Sequence, residues 1–356
     1  MTGLYIHIPF CKQKCFYCDF FSVKYDNALA DKYVEAVISH AGQYKPVKVS
    51  TIYIGGGTPS VLSEKQIAQL LTSINKTFDI SLLTEFTCEL NPESVTPEKL
   101  KILKDNGVNR LSIGLQSSQD KDLQALGRIH NFDTFAQAFK FARETGFNNI
   151  NLDLIYGLPN QTLSDWQKNL NEALQFNSEH ISLYPLTIEP NTPLYANGTS
   201  TDDTLQRRMY EAAAEIFKKA GFKHYEISNW AKAGKESIHN SNYWRNAEYI
   251  ALGAGASGYY NKKRYKIVED IEKYIKQINL FIDEEVITDD ICETETIILG
   301  LRLLNEGVDV KYFKSAAHKA ALERFLSQKL LVLKNDRIML AKNAVFTSNQ
   351  ILSEFV

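Results

Sequence analysis

The sequence predicts an α/β fold, a partial (β/α)6 barrel followed by a smaller C-terminal helical or winged-helix-like domain. Three observations predict it. Short β-rich runs alternate with longer amphipathic runs through the first two-thirds of the 356 residues, the rhythm of parallel strands joined by right-handed crossovers. Polar, Gly-rich segments follow the strand ends one after another, as they would around the C-terminal rim of a barrel. From about residue 289 the rhythm changes to helices and then two short strands. The alternation alone also fits a doubly wound sheet; the rim-like placement of the motifs favours the barrel.

The six strand candidates are Leu4–Ile8, Thr51–Ile54, Glu85–Glu89, Arg110–Gly114, Ile150–Leu154 and His180–Tyr184. Between them lie helices with readable ends. Ser63-Glu-Lys-Gln66 is a capping box ahead of Ile67, Leu70, Leu71 and Ile74, which share one helical face. Thr96-Pro97 supplies a cap and a first-turn proline, and Gly107 stops that helix. Phe135, Ala138, Phe139 and Ala142 repeat at helical spacing up to Gly146, and a further helix spans about residues 204–220 before Gly221. Pro190–Asp203 is rich in Pro, Asn, Thr and Asp and is expected to be a mobile loop near the site. Helical patterns return at 293–304 and 310–328, followed by strands at 330–333 and 337–340 around Asn335-Asp336. The domain expectation is therefore a barrel over 1–225, an irregular aromatic connecting segment over 226–288, and the C-terminal domain over 289–356.

Composition narrows the function. Lys+Arg 40 against Asp+Glu 42 gives a net charge of −2, which removes the simplest argument for nucleic-acid binding. Hydrophobic content of 44% with 23% charged residues is that of a globular protein and excludes a disordered chain. No apolar run approaches the ~20 residues of a transmembrane helix. The first fifteen residues show no signal-peptide pattern, so a cytoplasmic location is expected.

The cysteines carry the sharpest signal. There are five, an odd number that argues against a disulfide framework and for metal or redox chemistry. Cys11, Cys15 and Cys18 form a C-x3-C-x2-C run directly after the first strand. Three thiolates this close can hold three corners of a [4Fe–4S] cube that normally takes four. The unclaimed iron would then be open to a small chelating ligand. Structural zinc is the alternative, but it wants four closed ligands, and His7 is poorly placed to be the fourth. Cys88 and Cys292 have no partner spacing and are expected to be inert.

Tyr5-Ile-His-Ile-Pro-Phe-Cys11, with Cys15-Phe-Tyr-Cys18-Asp-Phe, resembles the opening of the radical S-adenosylmethionine (SAM) superfamily, in particular its coproporphyrinogen-dehydrogenase-like branch. That resemblance implies a radical-SAM barrel and a cluster whose open iron binds the amino and carboxylate groups of SAM. Reductive cleavage of SAM then yields methionine and a 5′-deoxyadenosyl radical, chemistry the cofactor supplies. Ile54-Gly-Gly-Gly-Thr-Pro59 resembles the family's segment for the methionine end of SAM, which assigns Gly56, Gly57 and Thr58 that role. A tight strand-to-helix turn is the plainer reading of the same glycines. The match further implies Arg128 for the SAM carboxylate, Glu89 for the amine, Gln116 and Asp153 for the ribose, and Tyr5 and Tyr17 as neighbours of bound SAM. Each of these residues alone could equally be a satisfied rim side chain.

Two departures separate branches. The dehydrogenases carry a further cysteine two residues beyond the third, where this sequence has Phe20, and an N-terminal extension ahead of the residue matching Tyr5. Both departures are shared with the heme-chaperone group of the branch. His239-Asn-Ser-Asn-Tyr-Trp244 resembles that group's heme-associated segment, making His239 the candidate axial ligand; the plainer alternative is that it anchors the segment on the barrel. The expectation is a heme-binding and delivery protein with a [4Fe–4S] cluster, SAM and heme as cargo. The alternatives are an oxygen-independent coproporphyrinogen III oxidase and a radical enzyme acting on another substrate. The expected partners are a heme acceptor and a reductant for the cluster, with no nucleic acid, at most transient membrane association, and a homodimer as the assembly to test.

Overall fold

The computed structural model describes residues 2–356. Six parallel strands form its centre: β1 (Thr2–Ile8), β2 (Val49–Gly56), β3 (Glu85–Leu90), β4 (Arg110–Gln116), β5 (Ile150–Tyr156) and β6 (His180–Pro185), each paired with the next. Every strand expected from the sequence is present, extended by one to four residues. Alternation decides the two faces. Leu4, Ile6, Ile52, Ile54, Phe86, Leu111, Ile113, Leu152 and Ile181 pack outward in the apolar core. Tyr53, Glu89, Arg110, Ser112, Asn151, Asp153 and Ser182 face a common interior cavity. One cavity bordered by five successive strands requires a curved sheet, which is the partial barrel.

Helices cover the outside as their caps dictate. Asp26 caps α1 (Asn27–Ala41), and the Ser63–Gln66 capping box opens α2 (Glu64–Thr77). Thr96 caps α3 (Pro97–Asp105), and Asn131 caps α4 (Phe132–Glu144). A Thr162–Asp165 box starts α5 (Leu163–Gln175), and α6 (Asp203–Lys219) follows the Asp202 cap. The 190–203 segment, expected to be a loop, contains a helical turn, Pro193–Ala196, capped by Thr192.

The segment 226–288 departs most from expectation, because it is regular. Strand β7 (Lys223–Glu226) pairs antiparallel with β8 (Asn229–Ala231), which in turn adds antiparallel to β6. Helix α7 (Ile238–Trp244) then crosses beneath the barrel to β9 (Tyr249–Leu252), which pairs parallel with β1. From there β10 (Ser257–Tyr260), β11 (Lys263–Ile267) and β12 (Phe281–Val286) extend the same sheet antiparallel, giving twelve strands in all. The sequence hid these strands because most are only three to five residues long and carry few β-branched residues.

At the C-terminus, α8 (Asp289–Gly300) begins four residues before its expected start, under a Thr288 cap. A break at 313–315 separates a short turn from α9 (Ala316–Ser327). Strands β13 (Leu331–Lys334) and β14 (Arg337–Leu340) form the expected hairpin and take Val308–Asp309 as a third strand. Ile297, Phe313, Phe325 and Phe355 belong to the same continuous core as the barrel residues. Among the described residues no helix is long and apolar enough to cross a membrane.

Candidate cluster and nucleotide site

The cavity has a volume of about 370 Å³ and opens at the C-terminal ends of the strands. Cys11, Cys15 and Cys18 stand on its wall in the loop after β1. That loop is tied down by its backbone: Phe16 N–H donates to Leu126 O, and Phe16 O accepts from Leu194 N–H. Thr58 Oγ1 donates to Cys11 Sγ at 3.5 Å, and Arg128 Nη1 donates to Cys15 Sγ at 3.4 Å. Both contacts favour thiolates. Burial acts against ionisation, raising the Cys11 thiol and pushing Cys18 to about 11. An iron cluster binding here would therefore release protons.

The donor set fits a cluster better than a single ion. Among the described residues no three Cys, His, Asp or Glu side chains gather around one metal point. A cube does not need such a point, because each thiolate binds a different iron. The zinc alternative loses its fourth ligand: His7 is 5% exposed, with Nδ1 against Tyr5 OH at 2.9 Å and Nε2 against Phe21 O at 3.1 Å.

The glycines after β2 are forced by close approach. Gly56 has φ +114° and a Cβ there would lie 2.7 Å from the His7 ring. A Cβ on Gly57 would meet Phe10 O at 2.8 Å and Cys11 Sγ at 3.0 Å. Only bare backbone lets this turn pass the cysteine loop and still line the cavity.

All but one of the remaining nucleotide-site candidates line the same cavity. Glu89 accepts from Tyr53 OH at 2.6 Å and from Gly56 N–H at 3.2 Å. Burial, reinforced by the nearby Asp153, raises its carboxyl to about 7 despite those hydrogen bonds. Asp153 is also raised by burial, although Ser112 and Asn151 donate to it at 3.0 and 2.8 Å. Arg128 Nη2 donates to Asn91 Oδ1 at 2.8 Å, and Asn91 Nδ2 donates to Thr58 Oγ1 at 2.9 Å. Burial opposes the Arg128 charge, while Tyr17, Cys15 and Glu93 hold it in place. Gln116 takes a left-handed φ of +66° at a register shift in β4, a strained position for a residue with a side chain. Tyr17 lines the cavity, whereas Tyr5 does not, its ring lying 6.3 Å from that of Tyr53.

His239 is placed differently from expectation. It is 1% exposed, with Nδ1 on Thr51 Oγ1 at 2.8 Å and Nε2 on Tyr243 OH at 2.8 Å, and its ring stacks on Tyr53. Both ring nitrogens are engaged, so the expected axial heme ligand has no free nitrogen here, and its side chain ties α7 to the barrel base. Glu85 completes the anchor, accepting from Ser237 Oγ, Ile238 N–H and His239 N–H. Burial lowers the His239 imidazole to about 3, so it stays neutral.

Sequence reasoning missed Tyr53, Asn91 and Arg110. Tyr53 and Arg110 sit at inward positions of correctly read strands, so alternation was the signal that could have found them. Asn91 closes the Cys88-Glu-Leu-Asn-Pro92 run at the end of β3. Cys88 lies on the outer face beside Leu70 and Leu100, and burial pushes its thiol up. Cys292 is half-buried on α8, 3.8 Å from Asn246 Nδ2.

Residues 5–173 match the sequence profile of the Radical SAM superfamily. The chain is similar to "Heme chaperone HemW" of Lactococcus lactis subsp. lactis (strain IL1403), 36% identical over 100% of this chain and 97% of the relative. It is 41% identical to the protein of the same name from Bacillus subtilis (strain 168), over 88% of this chain and 86% of that one. Among solved structures, the coproporphyrinogen III oxidase HemN of Escherichia coli, described as a radical SAM enzyme, superposes with a TM-score of 0.87. That match covers 99% of this chain and 89% of the other at 21% identity, a likeness of fold.

Proposed function

We propose a function from the premise that these comparisons establish: the chain belongs to the radical SAM superfamily and, within it, to the family of the heme chaperones named above. It binds heme and passes it to an acceptor protein in the cytoplasm. The observation that carries this reading is the near-full-length similarity to a heme chaperone, 97% of the relative at 36% identity. Phe20, 64% exposed at the cavity mouth, supports it, standing where the oxidase branch is expected to carry a further cysteine.

Cys11, Cys15 and Cys18 would hold a [4Fe–4S] cluster through three thiolates, one fewer than the four such a cube normally takes. That cluster would supply the chemistry of reductive SAM activation, with the electron coming from an external reductant. The protein's own groups orient the nucleotide. Arg128 receives the methionine carboxylate, with Asn91 fixing the plane of its guanidinium. Glu89 accepts from the ammonium, held toward it by Tyr53 and Gly56. Gln116 and Asp153 meet the ribose hydroxyls, and the strand walls with Tyr17 limit access of water. Heme is the cargo, and His239 does not ligate it.

The test is anaerobic. Reconstituted protein loaded with one equivalent of heme should transfer it to an apo-hemoprotein, read as the acceptor's Soret band. Incubation with coproporphyrinogen III, SAM and a reductant should give no protoporphyrinogen. Multi-turnover decarboxylation would replace this reading with the oxidase. Heme that never leaves the protein would defeat delivery.

A further inference from the structure

Arg110 stands out from every other charged group in the barrel. It is 1% exposed, among the largest fully buried side chains, yet it borders the cavity. Its Nε has no hydrogen-bond partner. Among the described residues its terminal nitrogens enter no hydrogen bond or ion pair either. The carboxylates of Glu89 and Asp153 act on it through the field alone, with no hydrogen bond to its nitrogens, and a buried cation without hydrogen-bond partners is destabilising, so such a group persists where it has another use.

The neighbouring acceptors are committed to one another. Glu89 is bound by Tyr53 and Gly56, and Asp153 by Ser112 and Asn151. Asn151 Oδ1 in turn meets His180 Nδ1 at 2.6 Å and accepts from Ser182 Oγ at 3.1 Å. The guanidinium therefore faces the cavity with its fork of N–H donors free, and the group that matches a planar fork is a carboxylate. Arg128 is not equivalent, because two of its nitrogens already serve Cys15 and Asn91 at the mouth.

We infer that Arg110 anchors a carboxylate subsite on the cavity floor, separate from Arg128, and that its ligand is a propionate of the heme cargo. The subsite stands on the geometry; the identity of the carboxylate rests on the delivery reading above. The other source in the same cavity is the methionine carboxylate of SAM.

Arg110→Met tests both parts. Methionine fills similar space without charge, so the ligand-free variant should melt at the wild-type temperature or a few degrees higher. A fall of more than about 5 °C would mark Arg110 as a structural cation and overturn the subsite. Wild-type protein, reconstituted anaerobically, should bind heme at least tenfold more tightly than heme dimethyl ester. Arg110→Met should bind both at the level of the ester, with SAM affinity changed less than threefold. Equal binding of heme and ester by the wild type overturns the propionate assignment. So does a variant that loses SAM while keeping heme. If the wild type takes up neither porphyrin, the delivery reading fails, and propionate alone decides the subsite. The Nε–H resonance of Arg110, identified by its absence from the variant, shifts on adding propionate if the subsite is real and stays fixed if it is not.

Discussion

The two ends of the barrel contain the same kinds of residue and use them in opposite ways. At the base, Thr51, Tyr53, Glu85, His239 and Tyr243 are stacked or hydrogen-bonded to one another, and α7 closes the opening. At the mouth and interior, thiols, a raised carboxyl and two arginines face open space. The difference teaches where ligands act. Buried polar groups that satisfy one another rigidify a fold, whereas groups held without full partners are prepared for something that arrives later.

Three outcomes break or sharpen that contrast. The largest effect is expected at the mouth. Replacing any one of Cys11, Cys15 or Cys18 with Ala should reduce cluster content after anaerobic reconstitution to background, by iron and sulfide analysis, without unfolding the apoprotein. A variant that retained a full cluster would remove that cysteine from the ligand set.

Next in size is the base. His239→Ala deletes two buried hydrogen bonds and a stacked ring, and should cost about 2–4 kcal/mol of stability in denaturant unfolding. The resonance Raman signature of heme bound to the folded fraction should not change. A changed axial-ligand band would show that the base opens to heme, and the contrast between the two ends would fail.

The smallest effect is a pH dependence. Glu89 is raised to about 7, chiefly by burial, and in the proposed reading its ionised form accepts from the SAM ammonium. SAM binding therefore requires loss of that proton. Affinity should be level above about pH 7.5 and fall toward tenfold per unit below 7, about 1.4 kcal/mol each. Glu89→Gln should bind weakly with a flat profile between pH 6 and 8. A flat profile in the wild type would remove Glu89 from the amine.

The cysteine spacing, the Gly-Gly-Gly-Thr run and the strand-end polar residues were legible because each is local: a few consecutive residues state both the geometry and the chemistry. The six central strands were legible for the same reason, since burial on one face against helices writes a periodic pattern into the chain. The edge strands in 223–286 were not, because they are short and held in register by neighbours distant in sequence.

What the sequence by itself determined is thus the order of the six central strands and their helices, the clustering of three cysteines after β1 and the family resemblance they carry. Only the tertiary structure decided how buried polar residues are spent. His239 and Arg110 are both buried and both polar. Thr51, 188 positions away, and Tyr243 satisfy the first, while no described residue satisfies the second. Whether a polar group is structural or awaits a ligand depends on which distant atoms reach it, and one-dimensional spacing does not encode that.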